Sequence, residues 1–89
     1  MANSLHTLNL SGNRVSACAP LYYCDRIEFL YLSNNQITEF EDLVPLLQTM
    51  RTLRHLDMRD NPVTKLTKYW ERVIMEGKML QELDGKTVR

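Results

Sequence analysis

Three segments of the chain repeat one pattern of apolar residues and asparagine. The segments, at residues 5–15, 27–37 and 53–63, read LHTLNLSGNRV, IEFLYLSNNQI and LRHLDMRDNPV. All three follow the frame apolar, two variable, apolar, one variable, apolar, two variable, asparagine, one variable, apolar. The first two segments start 22 residues apart, and the second and third start 26 apart. Repetition at such a period predicts a solenoid, in which each unit buries its apolar face against its neighbours.

The first part of each unit predicts a short strand. Leu30 and Leu32 alternate with Phe29 and Tyr31, and alternate residues of a strand point to opposite faces. The rest of each unit continues with apolar residues three or four apart, which predicts a short helix or 3-10 segment with one face inward. A longer helix is expected in the second unit, within LVPLLQTMRT. The apolar residues concerned are Cys18, Leu21 and Cys24, then Phe40, Leu43, Leu46, Leu47 and Met50, then Leu66, Tyr69 and Val73.

An asparagine lies between apolar positions in every unit, at Asn13, Asn35 and Asn61. The backbone turns after each strand, and the N–H and C=O groups of a buried turn must be paired. An inward asparagine side chain carries both a donor and an acceptor. We therefore predict that the three asparagines stack as a ladder that bonds the turns of their own and the adjacent coil.

This pattern resembles the leucine-rich repeat family, whose consensus is LxxLxLxxNxL. The 22-residue spacing is similar to the class typified by the nuclear regulatory subunit of protein phosphatase 1, and residues 61–88 resemble its C-terminal cap. Trp70 stands where arginine is common, and Gly77-Lys78 replaces a proline region. The resemblance implies an α/β fold. This fold is a right-handed solenoid with a short parallel β-sheet on the concave face, helices or 3-10 segments on the convex face and a C-terminal helical cap.

We expect one domain over residues 1–89, with repeats at about 5–26, 27–52 and 53–66 and a cap at about 64–89. Residues 64–79 are predicted as a helix, and LQELDG as a partial final strand. Only MANS precedes Leu5, too little to cover Leu8, Leu10 and Val15. Because a terminal coil exposes its apolar edge unless it is capped, we expect a fragment or short form without an N-terminal cap. Its open edge could support self-association.

Composition and motifs argue against several classes of function. The 11 basic and 11 acidic residues balance, so no overall field attracts nucleic acid, and no direct contact with it is expected. No glycine-rich phosphate loop, GxSxG or HExxH motif is present, so we expect neither enzyme activity nor a cofactor. Cys18 and Cys24 are spaced C-x5-C without further cysteines, and with His6 and His55 they suggest no metal site.

The location expected from the sequence is cytoplasmic, with the nucleus or the cilium as alternatives. No apolar run approaches the length of a transmembrane helix, and the N-terminus lacks the apolar region of a secretion signal. We therefore expect no contact with a membrane.

The outward face of the predicted sheet is the candidate binding site. Two aromatic residues at its centre, ringed by charges of both signs, resemble a protein-binding hot spot with a polar rim. The alternative is that Phe29 and Tyr31 are ordinary strand formers. A second patch could involve Tyr22, Tyr23 and Arg26, and Trp70 could pack in the cap. The columns across the sheet are His6–Glu28–Arg54, Thr7–Phe29–His55, Asn9–Tyr31–Asp57 and Ser11–Ser33–Arg59, of which Glu28, Phe29, Tyr31, Arg54, His55, Asp57 and Arg59 are predicted to bind a partner.

The resemblance implies three non-catalytic functions. Phosphatase regulatory subunits of this family bind the phosphatase catalytic subunit through aromatic and acidic residues of the concave face, and Glu28, Phe29, Tyr31 and Asp57 match those in type. Similar repeats occur in an outer-arm dynein light chain and other ciliary proteins, which implies a cytoskeletal or axonemal partner. They also occur in the spliceosomal A-prime protein, which binds a helix of a protein partner.

Overall fold

The computed structural model describes residues 6–18, 21, 24 and 26–88. Within these residues, five short strands form one sheet in the order β1-β2-β3-β4-β5, accompanied by two helices and one 3-10 segment. The strands are β1 (Thr7–Asn9), β2 (Phe29–Tyr31), β3 (His55–Asp57), β4 (Glu82–Leu83) and β5 (Lys86–Thr87). The helices are α1 (Phe40–Thr49) and α2 (Tyr69–Glu76), and the 3-10 segment is Pro62–Lys65.

The register of the sheet follows the repeat. Strands β1 to β4 pair in parallel, and the central leucines Leu8, Leu30, Leu56 and Leu83 lie side by side. Leu30 and Leu56 are buried, because each points into the space between the sheet and the helices. The expected α/β fold, with a parallel sheet and helical segments stacked on it, is confirmed.

The core continues through the helical part of each unit. Helix α1 buries Phe40, Leu43, Leu46 and Leu47, which lie three or four residues apart as predicted. In the first unit Cys18 is fully buried, and burial raises the pKa of its thiol to about 12, so the thiol stays protonated and packs as a small apolar group. The other large, fully buried side chains are Ile27, Leu32, Ile37, Met50, Leu53, Met58, Leu80 and Leu83.

Two of the three asparagines form the internal hydrogen bonds that the turns require. Asn35 Oδ1 accepts from the backbone N–H groups of Asn13 and Val15 at 2.9 and 2.8 Å, and its Nδ2 donates to the Leu10 carbonyl at 3.0 Å. Asn61 Oδ1 accepts from the Ile37 N–H at 3.1 Å. Each side chain thus joins its own coil to the preceding one.

Asn13 corrects the prediction of a three-membered ladder. Its side chain is exposed and donates to the Ser11 carbonyl in its own turn, at 3.2 Å. Among the described residues it reaches no turn of another coil. Its backbone N–H, by contrast, is held by Asn35.

The cap differs from the prediction in three respects. Helix α2 begins at Tyr69 rather than at residue 64, because a 3-10 turn is followed by extended backbone at Leu66 and by Lys68 in the left-handed region at φ 63°. Leu66 was expected to face inward, but it is 43% exposed. Finally, LQELDG supplies β4 as expected, but the chain then turns back at Asp84 and Gly85 into the antiparallel strand β5.

The described residues form no helix that is both long enough and apolar enough to cross a bilayer.

Candidate protein-binding face of the sheet

The predicted site residues lie along the outward side of strands β2 and β3 and the turns beside them. Phe29, Tyr31, His55 and Asp57 alternate with the buried leucines, so the pleat directs them away from the core, and all four are half-buried. The register places Phe29 beside His55 and Tyr31 beside Asp57, as the columns predicted. We call Glu28, Phe29, Tyr31, Arg54, His55, Asp57 and Arg59 the sheet-face patch.

An aromatic stack occupies the middle of the patch. The rings of Phe29 and His55 are stacked with their centroids 4.6 Å apart and an angle of 21° between the planes. His55 Nδ1 lies 3.3 Å from Glu82 Oε1 on β4, which fixes the orientation of the imidazole. Phe29 thus lies between Thr7 and His55 in one column of paired strands, with its ring stacked on that of His55.

An ion pair forms one border of the patch. Arg59 donates from Nε and Nη2 to the two oxygens of Asp57 at 3.0 and 2.7 Å, and its backbone N–H also bonds Asp57 Oδ1. The side-chain hydrogen bonds from Arg59 lower the pKa of the Asp57 carboxyl below its ordinary value. The Arg59 side chain remains 60% exposed, so it can still meet an incoming group.

The other members of the patch form a polar rim. Arg54 is exposed and Glu28 is half-buried. In the column that contains Arg59, Ser33 Oγ donates to Ser11 Oγ at 2.9 Å, which links two coils on this face. Of the second patch considered from the sequence, Arg26 is exposed, whereas Tyr22 and Tyr23 lie outside the described residues. Trp70 is half-buried against the core, consistent with cap packing.

Two acidic residues beside the patch were missed by the sequence analysis. Glu82 pairs with His55, and Asp84 Oδ1 accepts from the Met58 N–H at 2.6 Å while Asp84 Oδ2 accepts from the Tyr69 hydroxyl at 2.9 Å. Burial is the largest effect on Asp84 and raises the pKa of its carboxyl. Extending the columns by one coil would have found Glu82, because β4 continues the register of β3.

The histidines and acidic residues of the described chain are spread over the sheet rather than gathered at one point. In the described part of the chain, no group of three or more His, Cys, Asp or Glu residues is placed to hold a metal ion. His6 and His55 are not brought together, since β2 separates their strands. The patch thus has an aromatic centre, Phe29 stacked on His55, with the Asp57–Arg59 ion pair and the charged residues Glu28 and Arg54 around it.

Comparison with known proteins places the chain in a family. The family described as leucine-rich repeats (2 copies) matches residues 3–45 and 25–69. The leucine-rich repeat domain of Mex67 from Chaetomium thermophilum superposes with a TM-score of 0.86 at 27% identity, covering 94% of this chain and 58% of that one. The chain therefore belongs to the leucine-rich repeat proteins.

Two curated relatives are more similar to the chain in sequence than the Mex67 domain is. The U2 small nuclear ribonucleoprotein A′ of Saccharomyces cerevisiae is 35% identical over 86 residues, which cover 97% of this chain and 36% of that protein. The human cilia- and flagella-associated protein 410 is 33% identical over 87 residues, covering 96% of this chain and 34% of that protein. The chain thus spans about a third of the length of these relatives.

Proposed function

We propose that the chain is a non-catalytic module that binds a protein partner through the sheet-face patch. The observation that carries the proposal is the pair of adjacent aromatic side chains, Phe29 and Tyr31, on an open face of the sheet, with Phe29 stacked on His55. Aromatic residues surrounded by polar groups contribute a large share of the free energy of many protein interfaces. The Asp57–Arg59 pair at the border would favour polar groups of a partner in a defined orientation.

The test is affinity purification from cells followed by mass spectrometry, with the wild type, a Phe29→Ala/Tyr31→Ala variant and a Met75→Ala control. Met75 is an exposed apolar residue on α2, outside the patch. We expect the double variant to lose the principal partner and the control to retain it, with circular dichroism showing that both variants are folded. For an isolated partner, truncating a hot spot should weaken binding by roughly 30-fold or more. Equal recovery by the double variant would rule out the patch as the binding site.

A partner in a nuclear ribonucleoprotein particle is the assignment that we favour. The relative with 35% identity is by its name a component of such a particle, and the match extends over nearly the whole chain. This assignment would move the expected location from the cytoplasm to the nucleus. With a net charge of zero, the chain would join the particle through a protein rather than by direct contact with RNA. Nuclear enrichment and a small RNA in the immunoprecipitate would support it.

A ciliary assembly is the second candidate, favoured by the similarity to the cilia- and flagella-associated protein. It predicts expression in ciliated cells and co-sedimentation with axonemal doublets.

The third candidate, a phosphatase catalytic subunit, is supported by residue type at Glu28, Phe29, Tyr31 and Asp57. Because Asp57 is already paired with Arg59, such a partner would have to compete for that carboxylate. Recovery of the catalytic subunit in the same purification tests it.

Self-association through the first coil stays a prediction. Leu8, Leu10 and Val15 are only partly buried where they pack against the core. Sedimentation equilibrium over a range of protein concentrations would distinguish a monomer from a dimer.

A further inference from the structure

The solvent side of helix α2 carries the most exposed large apolar side chain of the described residues. Met75 is 69% exposed, whereas most of the large apolar side chains in the described chain are buried. Tyr69 and Val73 pack α2 against the core and lie on the other side of the helix. Met75 therefore faces water in a single chain, and a contact that covers it is favourable.

Four residues on this side of the helix form a symmetric pattern. Glu71, Ile74, Met75 and Lys78 line one groove, which has a volume of about 460 Å³. They follow the spacing i, i+3, i+4, i+7, which places residues on one face of a helix. The two apolar residues lie in the middle, with an acid three residues before them and a base three residues after them. We call these four residues the outer face of α2.

The two charges of the outer face are not paired within the described part of the chain. Glu71 and Lys78 are both exposed. They are seven residues apart, which is about 10 Å along a helix, so they do not pair with each other. The ion pairs among the described residues lie on the sheet and include neither of them. Both charges are therefore available to a second molecule.

The remaining charged residues of α2 do not belong to this face. Arg72 lies over the ring of Phe40, with its guanidinium carbon 3.9 Å from the ring centroid. Glu76 accepts a hydrogen bond from Gln48 Nε2 at 3.3 Å. Both are turned toward α1, since Phe40 and Gln48 belong to that helix. The outer face thus has one acid near its start and one base at its end.

We propose that a second copy of this chain docks on the outer face of α2, with the two α2 helices antiparallel about a twofold axis between Ile74 and Met75. Glu71 of each copy then lies opposite Lys78 of the other, and the apolar pairs pack on each other at the centre. A parallel arrangement would place Glu71 opposite Glu71 and Lys78 opposite Lys78, which repel each other. Because both copies use the same surface, the assembly closes as a dimer.

This contact is separate from the surfaces considered above. The outer face of α2 shares no residue with the sheet-face patch, and none with the partly buried residues Leu8, Leu10 and Val15 of the first coil. The proposal therefore does not depend on the proposed function, and a dimer of this kind leaves the residues of the sheet-face patch out of the contact.

Sedimentation equilibrium of the whole chain at low salt tests the proposal. Two turns of helix bury less surface than a standard interface, so we expect a dissociation constant on the order of 0.1 mM. Glu71→Lys and Lys78→Glu each turn two attractive contacts into two repulsive ones, and each should weaken the dimer by about tenfold. The double variant Glu71→Lys/Lys78→Glu should restore the dimer. An equimolar mixture of the two single variants should form a heterodimer, since every contact then joins opposite charges.

Two controls separate this contact from partner binding. Lys65→Glu changes a charge at an exposed position of the neighbouring 3-10 segment, outside the outer face, and should dimerise as the wild type does. So should Phe29→Ala/Tyr31→Ala, which is expected to lose the partner of the sheet face. Met75→Ala should show the opposite result, with the partner retained and the dimer weakened by about tenfold, because an apolar contact is lost on both copies. Circular dichroism checks that each variant is folded.

Three results would overturn the proposal. The first is a wild type that stays monomeric up to about 1 mM, ten times the expected dissociation constant. The second is a dimer of unchanged strength in Glu71→Lys, Lys78→Glu and Met75→Ala, which would assign self-association to another surface, such as the first coil. The third is a dimer that the single charge variants lose but that neither the double variant nor the mixture restores, since the antiparallel arrangement requires both to recover.

Discussion

At the scale of single residues, the buried carboxamides connect neighbouring turns. Asn35 accepts from two N–H groups of the first coil, and Asn61 bonds the Ile37 N–H of the second coil and the carbonyls of Leu32 and Met58. A leucine would fit the apolar surroundings of either site, but it could not pair these backbone groups. The sequence therefore keeps a polar residue where the apolar pattern alone would favour another leucine.

Replacing Asn35 by leucine should destabilise the protein more than the same change at Asn13. At Asn35 the change leaves buried backbone groups unpaired, which costs about 1–3 kcal/mol. At Asn13 the lost contact is exposed and local, so the expected effect is within about 0.5 kcal/mol. Urea denaturation of both variants, followed by circular dichroism, measures the difference. Equal free energies of unfolding for the two variants would contradict the role given to Asn35.

The columns of the sheet face were predictable from the sequence, but the side-chain pairs were not. The repeat fixes the register, so Thr7, Phe29 and His55 had to be neighbours. The contact of His55 with Glu82 depends on how far the cap continues the sheet. The Asp57–Arg59 pair depends on rotamers. A repeating pattern carries neither kind of information.

At the scale of elements, the cap is held against the second coil by close packing at Gly77. This residue ends α2, where its N–H donates to the Val73 carbonyl at 2.8 Å. A Cβ atom there would lie 2.8 Å from Leu80 Cδ1 and 3.1 Å from Leu47 Cδ2. Both leucines are buried, so they have little room to move. The glycine thus allows α2 to approach α1.

Gly77→Ala should lower the thermal midpoint of unfolding. Overpacking a core by one methyl group costs about 1–3 kcal/mol, which corresponds to a shift of several degrees in a domain of this size. The control is Lys78→Ala at the next, exposed position, for which little change is expected. If the Gly77→Ala variant unfolded at the same thermal midpoint as the control, the packing of Gly77 against Leu80 and Leu47 would not be as close as the structure indicates.

Elements with a strong apolar period were predicted well, and those that depend on turns were not. Helix α1 was predicted within LVPLLQTMRT, residues 43–52, from apolar residues at helical spacing, and it spans Phe40–Thr49, starting three residues earlier. The late start of α2 depends on the left-handed backbone at Lys68, which no apolar pattern reveals. Strand β5 likewise requires positive φ angles at Asp84 and Gly85, and the two residues that follow are exposed and lack a strand pattern.

At the scale of the whole molecule, consecutive coils form one continuous core. Each described coil bonds the next through a polar side chain. The Val15 N–H donates to Asn35, the Ile37 N–H to Asn61 and the Met58 N–H to Asp84. This continuity holds the outward residues of three coils in register and so creates the face that we assign to a partner.

Hydrogen exchange measured by NMR on the intact chain tests this continuity most directly. We predict that the amide protons of Val15, Ile37 and Met58 exchange slowly, because opening any of them requires two coils to separate. The amide of the exposed Thr38 provides the fast reference within the same molecule. If the three inter-coil amides exchanged as fast as Thr38, the coils would not share one core, and the face built on their register would not exist as a rigid surface.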